Sequence, residues 1–128
     1  MNNKTLKLLS DFVSIQSVST DKSRYKEILK AVEFLKKEIE SLGFEVKTYQ
    51  KNNYPPLIIA KYYLPHDRGQ DKKCKTIGVY AHYDVQPEDP VSEWDNSPFK
   101  LTKKNGKLFG RGVADDKGHI IQILMAIK

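Results

Sequence analysis

An α/β fold, a sheet with helices packed on it, is what this 128-residue sequence predicts, and three observations carry that expectation. Apolar residues recur at helical spacing from Tyr25 to Leu42. The period then drops to two after Gly43. Further on, the run Thr76-Ile77-Gly78-Val79-Tyr80-Ala81 is almost wholly apolar, the composition of a strand buried on both faces. Helices alternating with such strands form layered structures with helices on the faces of a sheet.

Taken in order, Leu6, Leu9, Phe12 and Val13 lie at helical spacing and predict a short amphipathic helix. A longer helix follows, with Tyr25, Ile28, Leu29, Val32, Leu35, Ile39 and Leu42 on one face and Lys and Glu on the other. Asp21 or Ser23 is placed to cap its start, and Gly43 to end it in a left-handed conformation. Phe44, Val46 and Thr48 alternate with Glu45, Lys47 and Tyr49, as in a half-buried strand. Pro55-Pro56 introduces a second strand over 57–63, and a polar loop over 65–75 leads to the third over 76–81. Turn residues at Pro87, Pro90, Asn96, Pro98, Asn105 and Gly106 predict a long loop, and 118–128 opens another helix. The helix from Ile120 to Ile127 is so apolar that it must be buried, yet the sequence stops there without a cap or polar tail. The expectation is therefore a sheet truncated before its fold is complete.

Composition bounds the rest. With 39% apolar and 30% charged residues the chain suits one soluble globular domain. No apolar run approaches the ~18 residues that cross a bilayer, so no membrane partner is expected. The opening MNNKTLKLLSDF has no secretory-signal pattern, and the lone Cys74 excludes an internal disulfide. A cytoplasmic protein is expected. The net charge of +6 comes from lysines scattered along the chain. Their densest patch, 72–75, holds no aromatic residue for base stacking, so no nucleic-acid partner is expected.

Two clusters could carry chemistry. Tyr80-Ala81-His82-Tyr83-Asp84-Val85-Gln86-Pro87 sits at the carboxyl end of the predicted central strand, where ligands collect in open α/β sheets. A neutral imidazole binds metal through one nitrogen while a nearby carboxylate receives the proton of the other. Alone, His-x-Asp is as compatible with a strand-end turn. In Phe109-Gly110-Arg111-Gly112-Val113-Ala114-Asp115-Asp116-Lys117-Gly118, glycines permit tight turns before paired carboxylates at a helix start. An Asp helix cap accounts for one carboxylate and leaves Arg111 unexplained. The spacing matches neither dinucleotide nor P-loop phosphate motifs.

The combination is more specific. AHYDVQP, then the Trp94-Asp95-x-x-Pro98-Phe99 segment, then GKLFGRGVADDKG resemble, in order and spacing, the carnosine dipeptidase branch of the zinc aminopeptidase-like hydrolases. That family includes aminoacylases, succinyl-diaminopimelate desuccinylase and acetylornithine deacetylase. The resemblance covers essentially the whole chain and implies that residues 1–128 are the N-terminal portion of the catalytic domain, without the lid and dimerisation domain. It implies His82 as a ligand of one of two zinc ions, Asp115 as the aspartate bridging both, and Asp84 as the catalytic carboxylate supporting the histidine. Manganese or cobalt could replace zinc in such a site. Trp94, Pro98 and Phe99 match a packing loop, whereas His66 and His119 match no ligand.

In such enzymes two metal ions share a water, lower its pKa and polarise the scissile carbonyl, while a glutamate moves the proton. The resemblance places that glutamate, the remaining ligands and the lid beyond Lys128. Since a catalytic zinc takes three protein ligands plus water, weak metal affinity and no peptidase turnover are expected of these residues alone. Small peptides or N-acyl amino acids are the implied substrates, with VQP leaning toward dipeptides, and full-length members are homodimers. The alternative is a non-catalytic module that docks on a full-length relative or another protein.

Overall fold

The computed structural model describes residues 2–63 and 75–128. The polar loop expected from 65 onward, with His66, Lys72, Lys73 and Cys74, lies outside them. Helix α1 (Asn3–Ser14) starts at Asn2, whose side-chain oxygen accepts from the Thr5 N–H at 2.8 Å, satisfying one orphan donor of the first turn. Leu9, Phe12 and Val13 are its buried face, as the spacing predicts. Helix α2 (Tyr25–Glu40) buries Ile28, Ala31, Val32 and Leu35. Asp21 caps a single 3-10 turn, Lys22–Arg24, that leads into α2 and accepts from the Ser23 N–H at 2.9 Å. Gly43 ends the helix at φ +88°, its N–H donating to the Glu40 carbonyl at 2.9 Å.

Strand β1 (Glu45–Tyr49) pairs antiparallel with β2 (Leu57–Lys61), Val46 opposite Ala60 and Thr48 opposite Ile58. Strand β2 ends two residues earlier than expected, and Tyr62 turns against Phe44 at 5.2 Å between rings. The third expected strand, 76–81, is not formed: Ile77 is 88%, Val79 60% and Tyr80 88% exposed. A strand exists through ladder partners, and among the described residues none runs beside this segment. The apolar composition predicts a buried environment that these residues do not themselves supply.

The expected long loop contains instead a hairpin of β3 (Thr102–Lys104) and β4 (Lys107–Phe109). Asn105 and Gly106 take φ +52° and +74°, the two positive values that match the twist of paired strands in a two-residue turn. Helix α3 (Lys117–Ile127) packs on α1. Its Ile120, Ile121 and Leu124 join Leu9, Phe12, Val13, Ala31 and Leu35 in the main core, where each large apolar side chain contributes about 1.5–3 kcal/mol through burial. No helix among the described residues is long and apolar enough to cross a membrane.

Three tethers position the segment around residue 84. After α1 the chain runs extended, and Val18 bridges Val85 in parallel; the Val85 N–H donates to the Ser17 carbonyl at 2.9 Å. Val18, Val85 and Phe99 form a small second core beneath that bridge. Arg24 grips Glu88 with two bonds of 2.9 and 2.6 Å and lies 5.7 Å above the Phe99 ring. Lys117 is fully buried and donates to the carbonyls of Phe12 at 3.0 Å and Ile15 at 2.5 Å, satisfying the end of α1. Burial pushes its ammonium down to about 7, with Glu27 opposing weakly.

Replacing Lys117 by Met keeps the stem and removes the ammonium from both carbonyls, leaving Phe12 only the Ile15 N–H and Ile15 only the Ser17 N–H. The expected loss is about 1–3 kcal/mol in denaturant unfolding. The Arg24 guanidinium holds the Glu88 carboxyl below its ordinary value of 4.5. A depressed carboxylate stabilises the fold fully above its unfolded value and loses that contribution as pH falls through the folded one. Glu88→Gln should therefore lower stability at neutral pH by up to about 1 kcal/mol. The difference from the parent should hold above pH ~4.5 and shrink as pH falls below it, read by thermal melts across pH.

Candidate metal centre

The two sequence clusters meet. His82 follows the apolar segment 76–81, and Asp115 lies in the turn before α3; His82 Nε2 stands 2.9 Å from Asp115 Oδ1. The other ring nitrogen faces Asp84, with Nδ1 3.1 Å from its carbonyl and 3.3 Å from its Oδ1. Asp116 holds the backbone of the same residue, its Oδ2 accepting the His82 N–H at 3.1 Å. The Asp115–Asp116 peptide is cis. Asp115 is 81% exposed and Asp116 only 15%, so the adjacent carboxylates divide their work: one faces outward toward the imidazole, the other anchors the backbone. All three residues singled out in the sequence, His82, Asp84 and Asp115, line one cavity of about 160 Å³ with Gln86, Arg111 and Gly112.

Glycines make the turn possible. At Gly112, φ is +85° and an added Cβ would stand 2.8 Å from a Val85 methyl and 3.1 Å from Lys117 Cδ. At Gly118 a Cβ would fall 1.9 Å from the Val113 carbonyl oxygen. Helix α3 thus starts so close to the preceding turn that only hydrogen fits.

The electrostatics of His82 suit a cation. Burial pulls its pKa down, but the Asp84 carbonyl bond and the Asp115 and Asp84 carboxylates raise it above the ordinary 6.5. A neutral ring has one proton to donate, yet both nitrogens face acceptors. With Nδ1 committed to Asp84, the lone pair on Nε2 would oppose Asp115 Oδ1 unless a proton or a metal ion lies between. An imidazole nitrogen and a carboxylate oxygen are also the donor types that a divalent metal of the zinc class takes. The pair therefore fits an ion, although no group of three or more His, Cys, Asp or Glu side chains among the described residues is arranged to hold one.

His119 bonds Asp116 Oδ1 at 2.7 Å rather than joining the cavity. Trp94, expected to pack, donates to the Glu88 carbonyl at 2.8 Å and carries the Arg111 guanidinium 5.1 Å above its ring. Arg111 has an Nε with no hydrogen-bond partner among the described residues. Sequence reasoning missed Ser17 and Ser19. Ser17 donates to the Tyr83 carbonyl at 2.8 Å and Ser19 to Asp84 Oδ2 at 2.5 Å. The available signal was their alternation with Val18, which puts both hydroxyls on one face of an extended segment.

Residues 78–128 match the model of peptidase family M20/M25/M40. The Cys-Gly metallodipeptidase of Schizosaccharomyces pombe is 35% identical across 94% of this chain and 26% of its own length. Succinyl-diaminopimelate desuccinylase of Paraburkholderia xenovorans is 32% identical across 95% of this chain and 29% of its own. Human carnosine dipeptidase 1 superposes with a TM-score of 0.83 at 28% identity, over 98% of this chain and 27% of that one. The chain spans about a quarter of the length of the relatives it matches.

Gly118→Ala should collapse the turn, because the clash is with backbone. A loss of about 3 kcal/mol or more is expected by denaturant unfolding. Gly106→Ala in the hairpin, where nothing lies within 4 Å, should cost less, only the strain of its φ of +74°.

Proposed function

We propose that this chain, which belongs to peptidase family M20/M25/M40, forms the N-terminal, metal-holding part of a catalytic domain that hydrolyses dipeptides or related amide bonds. Residues 1–128 belong to that domain in this reading, and the lid and dimerisation domain lies elsewhere. The observation that carries it is the 2.9 Å approach of His82 Nε2 to Asp115 Oδ1 in a cavity that Asp84 and Gly112 also line. His82 and Asp115 are the residues that would hold the ion, and zinc is the metal the family resemblance favours. When bound, a divalent metal supplies Lewis-acid polarisation of a carbonyl and a water of lowered pKa.

The remaining residues support those two. Asp84 accepts a hydrogen bond from the Nδ1–H of His82 and leaves Nε2 as the metal-donor atom. Asp116 fixes the His82 backbone, and Lys117 and the glycines hold the turn that presents Asp115. A single imidazole and a single outward carboxylate fall short of the three protein ligands of a catalytic zinc. These residues accordingly act with further groups of the complete site. A small dipeptide is the favoured substrate, since relatives named for dipeptidase activity match the chain. The cytoplasm is the favoured compartment, the lone Cys74 being suited to reducing conditions.

A second reading, a non-catalytic module that docks on a full-length relative or another protein, draws on the exposed Ile77, Val79 and Tyr80. Under that reading, size-exclusion chromatography would show a defined complex with the full-length relative.

Zinc titrated calorimetrically into the 128-residue chain should bind weakly. His82→Ala and Asp115→Asn should each lower the affinity at least about ten-fold, and His119→Ala should leave it unchanged. Equal affinity in all four proteins would contradict the assignment. Dipeptide turnover by these residues alone, lost on His82→Ala, would overturn the requirement for further groups.

A further inference from the structure

We infer that Ser19 is a positioning residue of this centre: its hydroxyl fixes the Asp84 carboxylate, which holds the His82 ring with Nε2 facing Asp115. The functional meaning rests on the reading of His82 as a metal-holding group, while the relay itself stands on the geometry of the chain.

The links run through three side chains. The Ser19 hydroxyl donates to Asp84 Oδ2 at 2.5 Å, a short bond of the kind a hydroxyl makes to an ionised carboxylate. The other oxygen, Oδ1, is 3.3 Å from His82 Nδ1, and the Asp84 carbonyl is 3.1 Å from the same nitrogen. Nε2 is left to face Asp115 at 2.9 Å. The carboxylate is 36% exposed, so packing alone does not lock its rotamer, and the hydroxyl supplies the missing constraint.

Ser19 is itself held in register. Val18 is 1% exposed in the small core with Val85 and Phe99, and its parallel bridge to Val85 fixes the height of the segment. Residues 17 and 19 then share the opposite face. Ser17 secures the backbone at the Tyr83 carbonyl and Ser19 secures the side chain of the next residue. Two hydroxyls from the chain following α1 thus brace both the path of the His82–Asp84 segment and the aim of its carboxylate.

The test reads the tautomer of the His82 ring by nitrogen-15 NMR on the metal-free 128-residue chain, under alkaline conditions where the ring is neutral. In the parent protein a single Nδ1–H form with unprotonated Nε2 is expected, the exposed Asp115 carboxylate turning away from the bare nitrogen when neither proton nor metal lies between them. Ser19→Ala and the near-isosteric Ser19→Cys should convert it to a mixture in which the Nε2–H form is substantially populated, and Ser19→Thr should restore the parent spectrum. An Nε2–H ring in the parent, or a spectrum unmoved in Ser19→Ala and Ser19→Cys, would overturn the relay. The parent measurement decides even if a variant fails to fold. Zinc titration of the parent reports separately on the metal assignment: a correct tautomer without zinc binding would sink that assignment and leave the relay intact.

Discussion

The buried ammonium of Lys117 ties the functional turn to the rest of the molecule. It caps the last carbonyls of α1 from inside the core, and it follows directly on the pair Asp115-Asp116. One end of that contact therefore sets where the acidic turn sits. The other sets where α1 stops and the extended segment of Ser17 to Ser19 begins, and that segment reaches back to Tyr83 and Asp84. The imidazole and the carboxylate that face each other are thus referenced to the same helix terminus. A buried cation without a carboxylate partner costs stability, and here two carbonyls and the Phe12 ring at 4.9 Å offset that cost.

Around this anchor the site follows from a conflict of acceptors. Carboxylate or carbonyl oxygens face both nitrogens of His82, and a neutral ring can satisfy only one of them. Such an arrangement holds a positive charge, either a proton or an ion, between Nε2 and Asp115. Asp116 and the glycine turn keep the pair close even though Asp115 itself is largely exposed, because the backbone at both residues is constrained. The rigidity lies in the supporting groups rather than in the two facing ones.

What the sequence disclosed divides along physical lines. Helices α1 and α2, the Gly43 cap and the strands β1 and β2, though not their pairing, were legible because their periodicity and caps are local. The meeting of His82 with Asp115 came from recognising two motifs together, not from either alone. Lys117 and Ser19 were not legible in their roles, since each acts on residues 65 or more positions away and a lysine ordinarily reads as surface. The Asn105-Gly106 hairpin was hidden by lysine-rich strands of three residues each, in which alternation has no room to show. The apolar run at 76–81 was read by composition as a buried strand, and composition does not say which polypeptide does the burying.

The most direct test of the account is zinc soaked into crystals of this chain and located by anomalous scattering. The account predicts a peak within bonding distance of both His82 Nε2 and Asp115, with Nδ1 of His82 still on Asp84. A peak on His119 and Asp116 instead, or none while His82 stays bonded directly to Asp115, would contradict it.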